Sequence, residues 1–152
     1  MTIQECIDRA DNLYPNQYSE ENKVDWLSRL DYRIFTDVIL THEPIMPPPP
    51  EEIRAESTAN PLDIDTDKPL PPHPPEFEPY KVTNMTKELL VPFPFDELYI
   101  VYLQMKIDEA NKETAQYNTN ATFFNHYYDE FAKDYNRKHL PINKARYEMW
   151  RH

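Results

Sequence analysis

Residues 95–137 read FDELYIVYLQMKIDEANKETAQYNTNATFFNHYYDEFAKDYNR, and their apolar side chains recur every three or four positions. This spacing is that of amphipathic helices. The first helix is predicted to begin at Pro94 or Phe95 and to end at a break near Tyr117–Asn120, where an Asn takes the left-handed C-cap position. The second is predicted from about Asn120 to Arg137, with an apolar face rich in Phe and Tyr. The short connection predicts an antiparallel pair.

The N-terminal part of the chain, residues 1–43, predicts two further helices. Thr2 and Glu5 have the spacing of a capping box, and Pro15 closes the first helix. Ser19 is the predicted N-cap of the second, a helix of about 22 residues with an apolar stripe. The stripe consists of Val24, Leu27, Leu30, Ile34, Val38 and Thr41.

The composition argues against β-rich and nucleotide-binding folds. The chain has 152 residues, 16 prolines and no glycine. Phosphate-binding loops and tight hairpins both depend on glycine, and proline is excluded from central strands. No run of about 18 apolar residues is long enough to span a membrane, and the N-terminus lacks the apolar core of a signal peptide. The single cysteine, Cys6, cannot form an internal disulfide and is expected to pack on the apolar face of the first helix.

Charge and proline content divide the chain into four parts. Residues 1–43 carry a net charge of −5, residues 44–84 carry −5, residues 85–137 carry −4 and residues 138–152 carry +3. Twelve prolines lie between Pro44 and Pro79, which predicts a long extended insertion. The predicted fold is therefore all-α: a small bundle of about four helices, interrupted by the proline-rich insertion and followed by an extended C-terminal arm.

No catalytic, cofactor-binding or metal-binding constellation is visible, so we expect the protein not to be an enzyme and to need no cofactor. His126 and Glu130 are spaced i, i+4, but a surface pair is favoured over a metal site because no second ligand pair has metal spacing. His42 is expected to cap a helix end. Residues 63–67 begin like a calcium loop but lack its glycine and its final glutamate. The proline runs are interpreted as a rigid spacer rather than as ligands of SH3- or WW-type domains.

The C-terminal residues 138–152 are the only basic part of this acidic chain. They also carry residue types that are enriched in interface cores. We therefore predict a docking tail whose contacts are made by Ile142, Lys144, Arg146, Tyr147, Met149, Trp150 and Arg151.

Several stretches resemble a family of small proteins encoded in the head-morphogenesis region of tailed phages that infect Gram-positive and related gut bacteria. The resemblance covers residues 1–43 and 85–141, and is carried by IQECIDRADNLYP at 3–15, KVDWLSRLD at 23–31, ELLVPFPFDELY at 88–99 and YNRKHLP at 135–141. Within these stretches and between them, the family motif and its interfaces are assigned to Leu90, Pro92, Pro94, Asp96, Tyr99, Tyr102, Tyr117, Asn118, Asn136 and Arg137.

The family resembles head–tail connectors, also called adaptor or head-completion proteins. The resemblance implies an α-helical structural protein of the virion neck, assembled in the host bacterial cytoplasm as a ring of about twelve copies beneath the portal protein. It implies contacts with the portal and with a downstream tail or neck protein. Double-stranded DNA would pass through the ring without specific binding, which suits an acidic lumen, and no membrane is involved.

Two other classes stay open. A net charge of −11 is compatible with an acidic phage-encoded inhibitor or DNA mimic, although the acidic residues are spread evenly over three segments. A small metal-dependent nuclease or hydrolase would need a ligand set that the sequence does not show.

Overall fold

The computed structural model describes residues 1–42 and 76–139, which contain four α-helices and no β-strand. The all-α prediction is confirmed for these residues, while the proline-rich residues 43–75 and the tail from 140 onward lie outside them. An isolated bridge pairs Thr2 with Glu88. The helices are α1 (Ile3–Leu13), α2 (Glu20–Ile34), α3 (Glu97–Asn111) and α4 (Thr114–Lys138), with a π-helical turn at Phe35–Ile39 and a short 3-10 helix at Val82–Asn84.

Helices α1 and α2 begin where the sequence predicts. The Thr2 hydroxyl accepts from the Glu5 backbone N–H at 3.2 Å, and the Thr2 N–H donates to the Glu5 carboxylate at 3.0 Å. This reciprocal capping box satisfies two N–H groups that the helix leaves unpaired. The Ser19 hydroxyl accepts from the Asn22 N–H at 3.3 Å and caps α2. The π-helical turn then carries the chain on from α2 as far as Ile39.

The break between the two long helices was predicted in the wrong place. It lies at Lys112, which adopts the left-handed conformation (φ 61°, ψ 32°), and residues 117–120 are helical. The Glu113 N–H donates to the Asp108 carbonyl at 2.9 Å and closes the turn. Asn120, expected at the break, instead donates from within α4 to the Asp108 carboxylate at 2.6 Å. A side-chain network around Asp108 therefore fixes the turn, although an Asn has the better local preference.

The start of α3 is also two or three residues later than predicted. Residues 92–95 form a turn in which the Phe95 N–H donates to the Pro92 carbonyl at 3.0 Å. Asp96 then stands at the N-cap, and α3 begins at Glu97. Pro92 and Pro94 favour this turn over a helical first turn, because each proline disfavours the α-conformation of the residue before it.

Helix α3 is the central helix of the bundle and packs against α1, α2 and α4. Most of the core comes from the first three helices and from the segment that precedes α3. Helix α4 buries one residue, Phe131, although it has 25 residues. The core side chains include Ile3, Cys6, Ile7, Ala10, Val24, Leu27, Leu30, Ile34, Val38, Tyr80, Leu89, Val91, Leu98, Tyr99 and Leu103.

His42 and His139 are the last described residues before the two undescribed segments, and both contact the C-terminal part of α4. His42 is buried, and its Nδ1 lies 2.6 Å from the Val38 carbonyl, so it caps the π-helical turn as expected. Its ring meets the Tyr135 ring edge-on, with the centroids 5.1 Å apart. The His139 ring also stacks on the Tyr135 ring, and the centroids of these two rings are 3.8 Å apart. His42 and His139, which directly precede the two undescribed segments, therefore both pack on Tyr135.

Candidate assembly surfaces

The residues assigned to the family motif separate into interior and exterior groups. Asp96, Tyr99 and Tyr102 are buried, and Leu90 and Tyr117 are half-buried. The exposed members of the motif are Pro92, Pro94, Asn118, Asn136 and Arg137. The motif therefore does not converge on one site: its interior members hold α3 in the bundle, and its exterior members lie on the 92–95 turn and along α4.

A buried carboxylate, Asp31, binds two interior members of the motif, Leu90 and Tyr99. It is fully buried on α2 and accepts from the hydroxyls of Tyr80 and Tyr99. The Leu90 N–H donates to the same carboxylate at 3.1 Å, and the Tyr99 hydroxyl accepts from the Val91 N–H at 2.9 Å. One side chain of α2 thus joins the segment before α3 to α3 itself.

The electrostatics of this network follow from its burial. Burial raises the pKa of Asp31, while hydrogen bonds from the two tyrosines and from Leu90 lower it, and the net shift is upward. Burial and the adjacent carboxylate both raise the pKa of Tyr80 and of Tyr99, so both phenols stay protonated donors. With its acceptors occupied and no exposed surface, Asp31 acts as a structural linker.

The sequence analysis did not single out Asp31, yet a signal was present. Asp31 follows Leu27 by four residues and precedes Ile34 by three, so it falls on the apolar stripe of α2. An acidic residue in that position predicts a buried carboxylate with dedicated partners, because an unpaired buried charge is too costly to keep.

A second buried carboxylate, Asp108, joins α3 to the end of α1 and to α4. It accepts from the Tyr14 hydroxyl at 2.7 Å and from the Asn120 amide at 2.6 Å. The Tyr14 hydroxyl also lies 3.0 Å from the Glu113 carboxylate. Its hydrogen bond to Asp108 is the largest influence that raises the pKa of Tyr14. This network closes the end of the bundle that contains the α3–α4 turn.

Large apolar side chains project from the surface at separate points. Phe93, on the proline-flanked 92–95 turn, is 84% exposed, and Leu13, at the end of α1, is 67% exposed. Phe123 lies on α4 and is 51% exposed. Aromatic residues of this kind are enriched at protein–protein interfaces. The predicted aromatic row of α4 is split, because Phe131 lies in the core whereas Phe123 faces solvent.

The candidate chemical groups are engaged in local contacts. His126 and Glu130 form an exposed pair at 3.3 Å, as the surface interpretation predicted. Cys6 is fully buried, and burial together with nearby carboxylates raises the pKa of its thiol to about 12. Across residues 1–42 and 76–139, no three His, Cys, Asp or Glu side chains come together in a way that could hold a metal ion.

Other predicted sites lie outside the described part of the chain. These are the calcium-like run 63–67, the proline runs, and the docking residues Ile142, Lys144, Arg146, Tyr147, Met149, Trp150 and Arg151. Among the described helices, none combines the length and the apolar character that crossing a membrane requires. Comparison of the chain with protein-family models, with curated proteins and with solved structures finds no match.

Proposed function

We propose that this protein is a structural subunit of a tailed-phage head–tail connector. In this proposal it forms a ring beneath the portal, extends the DNA channel and joins the head to the tail. The basic tail 138–152 contacts the portal, and the ring passes double-stranded DNA without binding it specifically. The sequence resemblance supports this proposal, and so do the all-α bundle and the net charge of −11.

The observation that carries the proposal is the exposure of Phe93. It lies inside the 88–99 stretch that carries the resemblance, and proline on both sides restricts the backbone of the turn that presents it. A large aromatic side chain held rigidly in solvent loses little conformational entropy when it is buried by a neighbour. Such a residue is suited to anchor one subunit on another component of an assembly.

The test is the number of copies in purified phage particles, measured by quantitative mass spectrometry against the portal protein. We expect equal copy numbers and a ring at the neck. Absence from particles, or hundreds of copies on the capsid lattice, would contradict the proposal. An isolated monomer that captures a DNA-binding protein would instead support the inhibitor alternative.

A variant sharpens this test. Phe93→Ala should reduce incorporation into particles about tenfold or more, because a buried aromatic anchor contributes about 2 kcal/mol. Val82→Ala is the control, since Val82 is also an exposed apolar side chain but lies outside both regions that the resemblance covers. It should be incorporated like the original chain. Both variants should fold, because each truncates a side chain that faces solvent.

A further inference from the structure

The end of the bundle that contains the α3–α4 turn holds a phenol and two carboxyl groups in mutual contact. The Tyr14 oxygen lies 2.7 Å from an Asp108 carboxylate oxygen and 3.0 Å from a Glu113 carboxylate oxygen. Both distances are those of hydrogen bonds, but a phenol has only one proton to donate. We call these three residues the Tyr14 junction. With both carboxyl groups ionised, the junction is one proton short of two full hydrogen bonds.

The proton of Tyr14 is needed most by Asp108. The Asp108 side chain is fully buried, whereas Glu113 is partly exposed. A buried carboxylate that lacks a donor is more costly than one that water can solvate. The Asn120 amide donates to the other Asp108 oxygen at 2.6 Å, so the Tyr14 proton gives Asp108 a donor on each of its oxygens.

The contact between Tyr14 and Glu113 therefore depends on the protonation of Glu113. Tyr14 keeps its own proton, because its hydrogen bond to Asp108, its burial and its contact with Glu113 all raise its pKa. When Glu113 is ionised, its oxygen faces a lone pair of the phenol with no proton between them. When Glu113 is protonated, its O–H donates to that lone pair.

The backbone of Glu113 is held in place by bonds that do not titrate. The Glu113 N–H donates to the Asp108 carbonyl at 2.9 Å, and the Tyr117 N–H donates to the Glu113 carbonyl at 2.9 Å. Lys112, in the left-handed conformation, sets the turn between them. The carboxyl group of Glu113 consequently stays tethered beside Tyr14 whether or not it carries a proton.

The other charged and titratable side chains around the junction belong to all four helices and the turn. Those that line the same cleft on the surface are Glu109, Lys112 and Tyr117. Glu109 pairs with Lys106 at 2.7 Å, and Lys112 is exposed, so water screens its charge. On the side of α1 and α2, Lys23 pairs with Asp11 at 2.6 Å. The missing bond is therefore most directly completed by a proton on Glu113.

We propose that the Tyr14 junction is a pH-sensitive latch between the end of α1 and the α3–α4 turn. As the pH falls, the Glu113 carboxyl takes up a proton and donates it to the Tyr14 oxygen, while Tyr14 continues to donate to Asp108. The junction then has an unbroken chain of hydrogen bonds. Because the folded form gains a bond when it binds this proton, the latch is stronger at acidic pH and weakens as the pH rises.

The experiment measures the urea unfolding of the full-length protein at about pH 7 and at about pH 4.5. Glu113→Gln replaces the carboxyl by an amide that donates at both pH values. The substitution also removes a charge that interacts with the dipole of α4, so it is made in parallel in Tyr14→Phe, which lacks the phenol oxygen. The difference between the two backgrounds isolates the contact between the side chains.

We expect Glu113→Gln to lower the unfolding equilibrium constant about fivefold more in the original chain than in Tyr14→Phe at the higher pH, because one hydrogen bond is gained. At the lower pH the two backgrounds should agree within about twofold, because Glu113 then supplies the same bond itself. Glu109→Gln is the matched control: this carboxyl lines the same cleft but pairs with Lys106. Its effect should be equal in both backgrounds within about twofold at either pH.

Far-ultraviolet circular dichroism at both pH values checks that the variants are folded. The inference is overturned if Glu113→Gln has the same effect in both backgrounds at the higher pH, if the difference between backgrounds does not change with pH, or if Glu109→Gln shows the same difference. Should Tyr14→Phe not fold, the original chain and Glu113→Gln still decide. The gap between their unfolding constants must narrow toward acidic pH, and a constant gap contradicts the latch.

Discussion

Helices α1, α2 and α3 each bury at least four apolar side chains, whereas the 25 residues of α4 bury only Phe131. The first three helices also enclose Asp31 and its hydrogen-bond partners. Helix α4 keeps Phe124, Tyr127 and Tyr128 half-buried and leaves Phe123 exposed. The comparison teaches that one bundle combines a closely packed interior with a helix whose aromatic side chains are only partly covered, which suits the assembly subunit proposed above.

The strongest way to break this comparison is to remove the carboxylate of Asp31. Asp31→Ala leaves two tyrosine hydroxyls and the Leu90 N–H without an acceptor in the core. We expect the free energy of unfolding in urea to fall by about 3–5 kcal/mol, because several buried donors lose their partner together. A loss below about 1 kcal/mol would show that water replaces the carboxylate as the acceptor and that the core is not closely packed around Asp31.

The pH dependence of stability sharpens the same contrast. Burial holds the pKa of Asp31 in the folded protein above its ordinary value near 4. Its contribution to stability is therefore fully present below pH 4 and is lost as the pH rises through the folded-state pKa. Asp31→Asn cannot titrate and is the matched control.

We accordingly expect the unfolding free energy of the original chain, minus that of Asp31→Asn, to be larger at about pH 4 than at pH 7. Urea unfolding of both proteins across this range measures the difference. A difference that grows with pH would mean that the hydrogen bonds to Asp31 outweigh its burial, and that the folded-state pKa lies below the ordinary one.

The smallest expected effect is on α4. Phe123→Ser removes a half-exposed ring that the core does not need, so we expect the unfolding free energy to change by no more than about 0.5 kcal/mol. Phe131→Ser, on the same helix but 3% exposed, is the control and should cost about 3 kcal/mol or more. Similar losses at both positions would show that the two faces of α4 do not differ.

Local patterns predicted the parts of this fold that depend on neighbouring residues. The capping box of Thr2 and Glu5 and the cap at Ser19 are visible in the sequence, because both use contacts three residues apart. The 3/4 spacing of apolar residues likewise predicted helices. It also gave a row of aromatic residues on α4 without showing which of them face the core, since that depends on where α3 lies.

Contacts between distant residues were not predictable in the same way. The turn at Lys112 is held by Tyr14, 94 positions before Asp108, and by Asn120 from the far side. Asp31 meets Tyr80 and Tyr99 across 49 and 68 positions. A helical periodicity indicates which face of a helix is apolar, but it does not name the residue that will meet a polar group on that face.

Because Cys6 is buried, the reactivity of its thiol reports on the opening of the bundle. The thiol is fully enclosed and its pKa is raised to about 12, so the folded chain presents neither access nor thiolate to an alkylating reagent. Alkylation must proceed through molecules in which α1 has detached from the other helices. The rate at which iodoacetamide modifies this one sulfur therefore measures how often α1 leaves the bundle, with no label introduced by mutation.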